Sequence, residues 1–171
     1  MRTFIACHVK RTAEIDGLLS ELESIRGVTP VRTPELHLTL YFNGDTSNET
    51  AERVSEVLKH FDYRKFSISL TGIGFFPTAA SPRIAYIRVS GFPHDLHAKL
   101  TKSLGSYVDG KAFTPHITFA RFHARTDSSA LIAKYGKFYF GNADINELCY
   151  YKSELRPSGP VYTVISSVQL M

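Results

Sequence analysis

Two tripeptides, His37-Leu38-Thr39 and His116-Ile117-Thr118, hold the residue types best suited to chemistry in this chain. Each lies in an apolar run of strand character, and in a strand residues two apart point to the same face. Each histidine therefore stands beside its own threonine. Two such faces turned toward each other give a pair of imidazoles, each with a hydroxyl next to it. Imidazole titrates near pH 6.5, so near neutrality one ring can hold a proton while the other is free to accept one. The neutral ring takes a proton from water and the protonated ring gives one to a leaving alkoxide, each role worth roughly 10²–10⁴-fold in rate. The threonine hydroxyls can donate to the non-bridging oxygens of a phosphoryl group, where charge develops. This equipment suits metal-free acid–base chemistry at phosphorus.

Strict alternation sorts the neighbours. In the first motif Leu36, Leu38 and Leu40 face a core, and Glu35, His37, Thr39 and Tyr41 face the other way. In the second, Thr114, His116, Thr118 and Ala120 share a face opposite Pro115, Ile117 and Phe119. Pro115 cannot donate to a ladder, so it belongs at a strand start or an edge. Arg121 falls on the apolar side by alternation and reaches the histidines only if the strand bulges or ends near Ala120. Zinc sites use three or four His, Cys or carboxylate ligands. Each motif offers one ligand and only Glu35 adds a carboxylate, so no metal is expected. Tyr41 and Phe42 either stack on a base or pack in the core. His8, His60, His94, His97 and His123 read as strand-end, helix-end or surface residues. Gly72-Ile73-Gly74 lacks the Gly-Lys-Ser/Thr of a phosphate loop.

The elements that position the motifs follow from periodicity. Arg2 to Val9 reads as a strand. Thr12 to Arg26 reads as a helix with Ile15, Leu18, Leu19, Leu22 and Ile25 on one stripe and Gly27 as its stop. Leu36 to Phe42 is the first motif strand, ended by Asn43-Gly44. Thr46 and Glu49 form a capping box for a helix that buries Ala51, Val54, Val57, Leu58 and Phe61. Phe66 to Leu70 and Arg83 to Ser90 read as strands, and Pro93 to Leu104 as a helix. After the second motif strand come a short helix near Asp127 to Tyr135 and strands near Lys137 to Tyr150 and Tyr162 to Leu170. Strand, helix, His-x-Thr strand, helix, strand thus occurs twice. His37 follows Phe4 by 33 residues, and His116 follows Arg83 by 33. A duplicated unit would relate the motifs by a pseudo-two-fold and place both in a cleft between lobes; coincidence among common strand–helix–strand units is the alternative.

Composition sets the frame. The 171 residues are enough for one domain with a real core, or two small lobes sharing one. Apolar content of 43% and charged content of 21% are those of an ordinary soluble globular protein, and no apolar run is long enough to cross a bilayer. The apolar stretch within Met1 to Cys7 is too short for a signal peptide and reads as the first strand. Cys7 and Cys149 fit free thiols in a reducing cytoplasm, although their pairing stays open, and the lack of C-x-x-C argues against structural zinc. A net charge of +4 and a pI of about 9.1 favour an anionic partner such as RNA or a nucleotide. No Lys/Arg block marks a nucleic-acid arm.

With these residues in view, the chain resembles the 2H phosphoesterase superfamily, in particular the bacterial and archaeal RNA 2′,3′-cyclic phosphodiesterases long called 2′-5′ RNA ligases. The resemblance rests on Arg2-Thr-Phe-Ile-Ala, Pro34-Glu-Leu-His-Leu-Thr-Leu, Phe42-Asn-Gly, Phe113-Thr-Pro-His-Ile-Thr-Phe-Ala-Arg121 and the tail Tyr151-Lys-Ser-Glu-Leu-Arg-Pro-Ser-Gly-Pro-Val-Tyr162, and so runs from end to end. It implies an α+β fold over residues 1–171 as a single domain of two intertwined lobes, each an antiparallel sheet with outer helices, related by a pseudo-two-fold with the active cleft between them. It implies opening of a 2′,3′-cyclic phosphate at an RNA end to leave a 2′-phosphate, with no metal or other cofactor; some members also join or cleave 2′-5′ linkages in tRNA halves. By motif, His37 and His116 are then the catalytic pair, Thr39, Thr118 and Arg121 hold the phosphate, and Phe42 stacks on a base. His116 would activate water and His37 would protonate the leaving 3′ oxygen. The expected partners are RNA ends or tRNA halves bearing the cyclic phosphate, or small cyclic nucleotides, met by a cytoplasmic monomer away from membranes. Asn43 and Phe119 stand where the family often has leucine, and Lys111-Ala112 where it often has Lys or Arg-Pro; these departures bear on substrate preference. Two rivals remain: a module that binds a nucleotide or RNA end without turnover, and an enzyme acting on a small cyclic nucleotide or ADP-ribose cyclic phosphate.

Overall fold

The computed structural model describes residues 1–107, 112–157 and 159–171; Lys111 and the side chain of Glu35 lie outside what is described. The strands are β1 (Arg2–Lys10), β2 (Val28–Pro30), β3 (Glu35–Asp45), β4 (Phe66–Thr78), β5 (Ser81–Ser90), β6 (His116–Phe122), β7 (Tyr139–Ile145), β8 (Glu147–Arg156) and β9 (Gly159–Gln169). The helices are α1 (Ala13–Leu22), α2 (Asn48–Lys59), α3 (His94–Leu104) and α4 (Ser129–Tyr135). The strand order is β7-β4-β5-β6-β3-β1-β8-β9, antiparallel at every described pairing, with β2 on β6. Four strands thus lie on either side of the β6–β3 junction. The expected α+β architecture of two antiparallel halves is present, and the halves are fused at that junction into one curled sheet.

One face of the sheet is closed by the helices. Leu36, Leu38, Leu40, Ile117 and Phe119 join the buried stripes of α1 (Ile15, Leu18, Leu19, Leu22), α2 (Ala51, Val54, Leu58) and α3 (Leu96, Leu100, Leu104) in the main core. Burial of this many large aliphatic groups, each worth about 1.5–3 kcal/mol, fixes which face of each motif strand turns inward. The opposite face carries a separate apolar cluster of Phe4, Ala6, Cys149 and Tyr151, with Tyr162 packed against it.

Several boundaries move from their sequence expectations for visible reasons. Helix α1 stops at Leu22 rather than Arg26: Ile25 still packs on the core, but through turns, with Gly27 at φ 79°. The cap of α2 is Ser47, whose Oγ accepts from Thr50 N at 3.1 Å, and not Thr46. The Thr46 hydroxyl is committed elsewhere, 2.7 Å from Thr3 Oγ1, which in turn accepts from Tyr150 Oη at 2.9 Å. Strand β3 does not end at Asn43-Gly44 but bulges there and runs on to Asp45. Cys7 and Cys149 are both buried, and no disulfide joins them.

Gly72 and Gly74 serve packing. Gly72 has φ 77°, and a Cβ there would meet the Gly136 carbonyl oxygen at 2.5 Å, a backbone atom with little room to retreat. Gly72→Ala should therefore cost about 2–4 kcal/mol, combining left-handed strain with overpacking. Urea unfolding measures it, and an unchanged midpoint would show that this contact yields freely. Gly74 has no side chain where the ring of Tyr86 lies against its backbone.

Candidate active site

The two motif strands meet at one pair of residues, Leu38 and Ile117, both fully buried. In an antiparallel pair, the next residue on one strand lies across from the preceding residue on the other. His37 therefore faces Thr118, Thr39 faces His116, and all four point away from the core. His37 and His116 become diagonal neighbours on one surface, about 7–8 Å apart at the backbone. The rows extend outward. His8 on β1 pairs with His37, while on β5 Tyr86 pairs with Thr118 and Arg88 with His116.

A matched pair of irregularities shapes this surface. Between β1 and β3 the register steps from Ile5–Tyr41 to Ala6–Thr39, leaving Leu40 as an extra residue. Between β5 and β6 it steps from Ala85–Ala120 to Tyr86–Thr118, leaving Phe119 as an extra residue. Leu40 and Phe119 each lie three positions after the motif histidine, so the pseudo-two-fold extends to the bulges. A bulge reverses the facing of all that follows. Tyr41 and Ala120, expected beside the histidines, are instead buried. The Tyr41 hydroxyl lies 2.9 Å from Thr101 Oγ1 and its ring stacks on His97. Phe42, 52% exposed, and Arg121, also exposed, turn to the open face in their place.

The two imidazoles sit in different settings. His37 meets Phe4, Tyr151 and Tyr162, each edge-on, at ring separations of 5.8, 4.9 and 5.1 Å. Burial among these rings, aided by the nearby His8, pushes its pKa down to about 4, so the resting ring is neutral at pH 7. His116 lies against Phe76 and Tyr86, which stack on each other. His116 Nδ1 is 2.7 Å from the Thr114 carbonyl oxygen. A carbonyl only accepts, so Nδ1 carries the hydrogen and Nε2 of the neutral ring presents a lone pair.

Cations ring this surface. The Arg2 guanidinium lies 5.3 Å from the centre of the Phe42 ring. Burial raises the pKa of the Tyr162 phenol, while Arg121 and Arg2 pull it the other way, which places both guanidinium groups near the ring that touches His37. A cavity of about 540 Å³ opens on His37, lined among others by His8, Thr33, Cys149, Tyr151 and Tyr162. A second, of about 590 Å³, lies between α3 and the start of β6 and reaches Pro115, the neighbour of His116.

The four motif residues thus come together, with Arg121 and Phe42 on the same face. The flanking rings Phe4, Tyr151, Tyr162, Phe76 and Tyr86, and the cations Arg2 and Arg88, were not singled out from sequence. Phe4, Tyr151, Tyr162 and Arg2 do lie inside the stretches that carry the family resemblance. His8, read as a strand-end residue, instead faces His37 from inside β1, whereas His97 stacks on the buried Tyr41 and His60 and His94 stand at helix ends.

A curled antiparallel sheet that brings two His-x-Thr motifs side by side on its open face defines a 2H phosphoesterase. The sequence profile of the 2′-5′ RNA ligase superfamily matches residues 14–156, and the chain belongs to that family. The RNA 2′,3′-cyclic phosphodiesterase of Archaeoglobus fulgidus is 32% identical over 171 residues, spanning 95% of this chain and 96% of that protein. The protein of the same name from Aquifex aeolicus is 30% identical over 151 residues, 82% of this chain and 80% of its own. The crystal structure of TT0787 of Thermus thermophilus superposes with a TM-score of 0.76 at 29% identity, covering 99% of this chain and 97% of that one.

Proposed function

We propose that the chain hydrolyses 2′,3′-cyclic phosphate ends of RNA to 2′-phosphates by a two-histidine mechanism that needs no metal. The observation that carries this reading is the His116 Nδ1–Thr114 carbonyl contact of 2.7 Å, which leaves Nε2 as an acceptor on the face shared with His37. His116 takes a proton from water, the hydroxide oxygen bonds to phosphorus, and the bond from phosphorus to the 3′ oxygen breaks. His37 supplies the proton that the 3′ oxygen needs. The ring is neutral when the site is empty, so it acquires that proton as the anionic phosphate arrives beside it. Thr39, Thr118 and Arg121 donate to the non-bridging oxygens, and Phe42 offers its exposed ring to a base. A 5′-hydroxyl in place of water would give a 2′-5′ linkage by the same steps, which is the ligase side of the reading.

The basic rim of Arg2, Arg88 and Arg121 supports RNA over a small cyclic nucleotide, because further phosphates add favourable contacts. The names of the relatives in Archaeoglobus and Aquifex support the same substrate class. Two buried cysteines that form no disulfide suit a cytoplasmic setting. No described helix is long and apolar enough to cross a membrane.

The test is incubation with 2′,3′-cyclic AMP, and with an oligoribonucleotide ending in the cyclic phosphate, both in EDTA. The expected product is the 2′-phosphate, with an unchanged rate after chelation and higher kcat/KM on the oligonucleotide. Binding without turnover would return the site to a binding module. A rate lost in EDTA and restored by a divalent ion would overturn the metal-free mechanism.

A further inference from the structure

The open face carries a second cluster of chemistry that the two-histidine reaction does not use. His8, Glu147 and Cys149 each offer one ligand atom, and the three atoms lie within 4.8 Å of one another. The topology explains the meeting. β8 pairs with β1 with Cys149 across from Ala6, and along β8 Glu147, Cys149 and Tyr151 alternate onto the side that holds Phe4, Ala6 and His8. The groups are held in place. Glu147 Oε1 accepts from Gln169 Nε2 at 2.8 Å across the β8–β9 pair, and the Tyr151 hydroxyl lies 3.5 Å from His8 Nδ1. Cys149 is buried, and His8 and Glu147 are half-buried. All three line the cavity that opens on His37.

We propose that this cluster binds a thiophilic divalent cation, zinc in particular, and that the bound ion inhibits the enzyme. One thiolate, one imidazole and one carboxylate make a borderline-soft donor set that suits zinc better than magnesium or calcium. Tetrahedral zinc sets its ligand atoms roughly 3.3–3.7 Å apart, so side-chain rotations of about an ångström close the set. Cys149 binds as the thiolate and releases its proton to solvent as the zinc–sulfur bond forms. Three protein ligands leave a fourth position open, and it faces the cavity shared with His37. A zinc ion and its water there block the flank of His37 and draw phosphate oxygens away from the histidine pair. The site is separate from catalysis, so hydrolysis in EDTA and inhibition by zinc belong to the same protein. The inhibition rests on the two-histidine reading, whereas ion binding does not.

Three readouts test the proposal on the chelator-stripped full chain. Calorimetry with zinc should show one site, and cobalt(II) should develop the near-ultraviolet charge-transfer band of a cobalt–thiolate bond. Cys149→Ser should abolish the band, and Glu147→Gln should weaken zinc binding by at least about tenfold, as loss of a metal-site partner commonly does. Zinc should inhibit cyclic phosphate hydrolysis in the wild type, and Cys149→Ser and Glu147→Gln should raise the concentration needed at least about tenfold while leaving the zinc-free rate intact. A cobalt complex without the thiolate band, or zinc affinity equal in all three proteins, overturns the site. Binding with the thiolate band but no inhibition overturns the inhibitory role alone. If no cyclic phosphate hydrolysis is found while the band and calorimetry hold, the enzymatic reading fails and the metal site stands.

Discussion

Replacing His116 with alanine should lower kcat on 2′,3′-cyclic AMP by about 10²–10⁴-fold and leave the unfolding transition close to that of the wild type. The ring is partly exposed at the first position of β6, and its removal leaves the Thr114 carbonyl within reach of solvent. The loss should fall on kcat rather than KM, because Thr39, Thr118 and Arg121 still hold the phosphate. His37→Ala should produce a comparable loss, but with some cost in stability, because three aromatic rings lose the group they pack against. His37→Gln separates the two effects by keeping most of the volume. The double variant should be little slower than either single one, since each half of a proton relay is idle without the other. Single-turnover rates beside urea melts measure all of this, and a folded single variant retaining more than about a tenth of the rate would falsify the pairing.

Stability should fall with acid through His37 in a particular window. Its pKa is near 6.5 in an unfolded chain and about 4 in the fold, so between those values the unfolded state binds the extra proton. The contribution is fully present above about pH 6.5, falls as pH drops through the interval, and is gone below about pH 4; its full size is about 3 kcal/mol. His37→Gln should lack this fall when both proteins are unfolded in urea with EDTA present. Bound anion acts in the opposite direction by favouring the imidazolium. Sulfate, a tetrahedral anion of constant charge from about pH 5 to about pH 8, should bind more tightly as pH falls, taking up close to one proton at the acid end. Calorimetry in buffers of different ionisation enthalpy counts that proton. Sulfate binding without proton uptake would mean that His37 stays neutral in the complex, which would move the acid role elsewhere.

Much of this was legible in the residues. Leu36, Leu38 and Ile117 fixed the inward faces, and period-two alternation then required His37, Thr39, His116 and Thr118 to point outward. The equal 33-residue spacings pointed to the repeat that the paired strands display. Alternation failed after Leu40 and Phe119, because neither residue differs in composition from an ordinary inward-facing one. Only the partner strand's register shows that each is extra, so Tyr41 and Ala120 were assigned to the wrong face. The rings around His37 were hidden for another reason. Tyr151 and Tyr162 reach it through β8 and β9, more than 100 residues downstream in the chain, and nothing local announces that approach. The surroundings of His8 were hidden in the same way, since only the assembled sheet sets it across from His37 and beside Cys149.

The two supernumerary residues behave like a frameshift in a code read two letters at a time. Upstream of each, the chain writes histidine and threonine toward the cleft; downstream, the same alternation would write Tyr41 and Ala120. Leaving one letter unpaired makes it write Phe42 and Arg121 instead. Drawing Leu40 or Phe119 back into the paired ladder would straighten the bulge and return one aromatic or one guanidinium group to the interior, while the histidine and threonine syllables stayed legible. The residues proposed for recognition and for catalysis are thus spelled in opposite phases of each strand, so a substitution at the mouth leaves the histidine–threonine face in register.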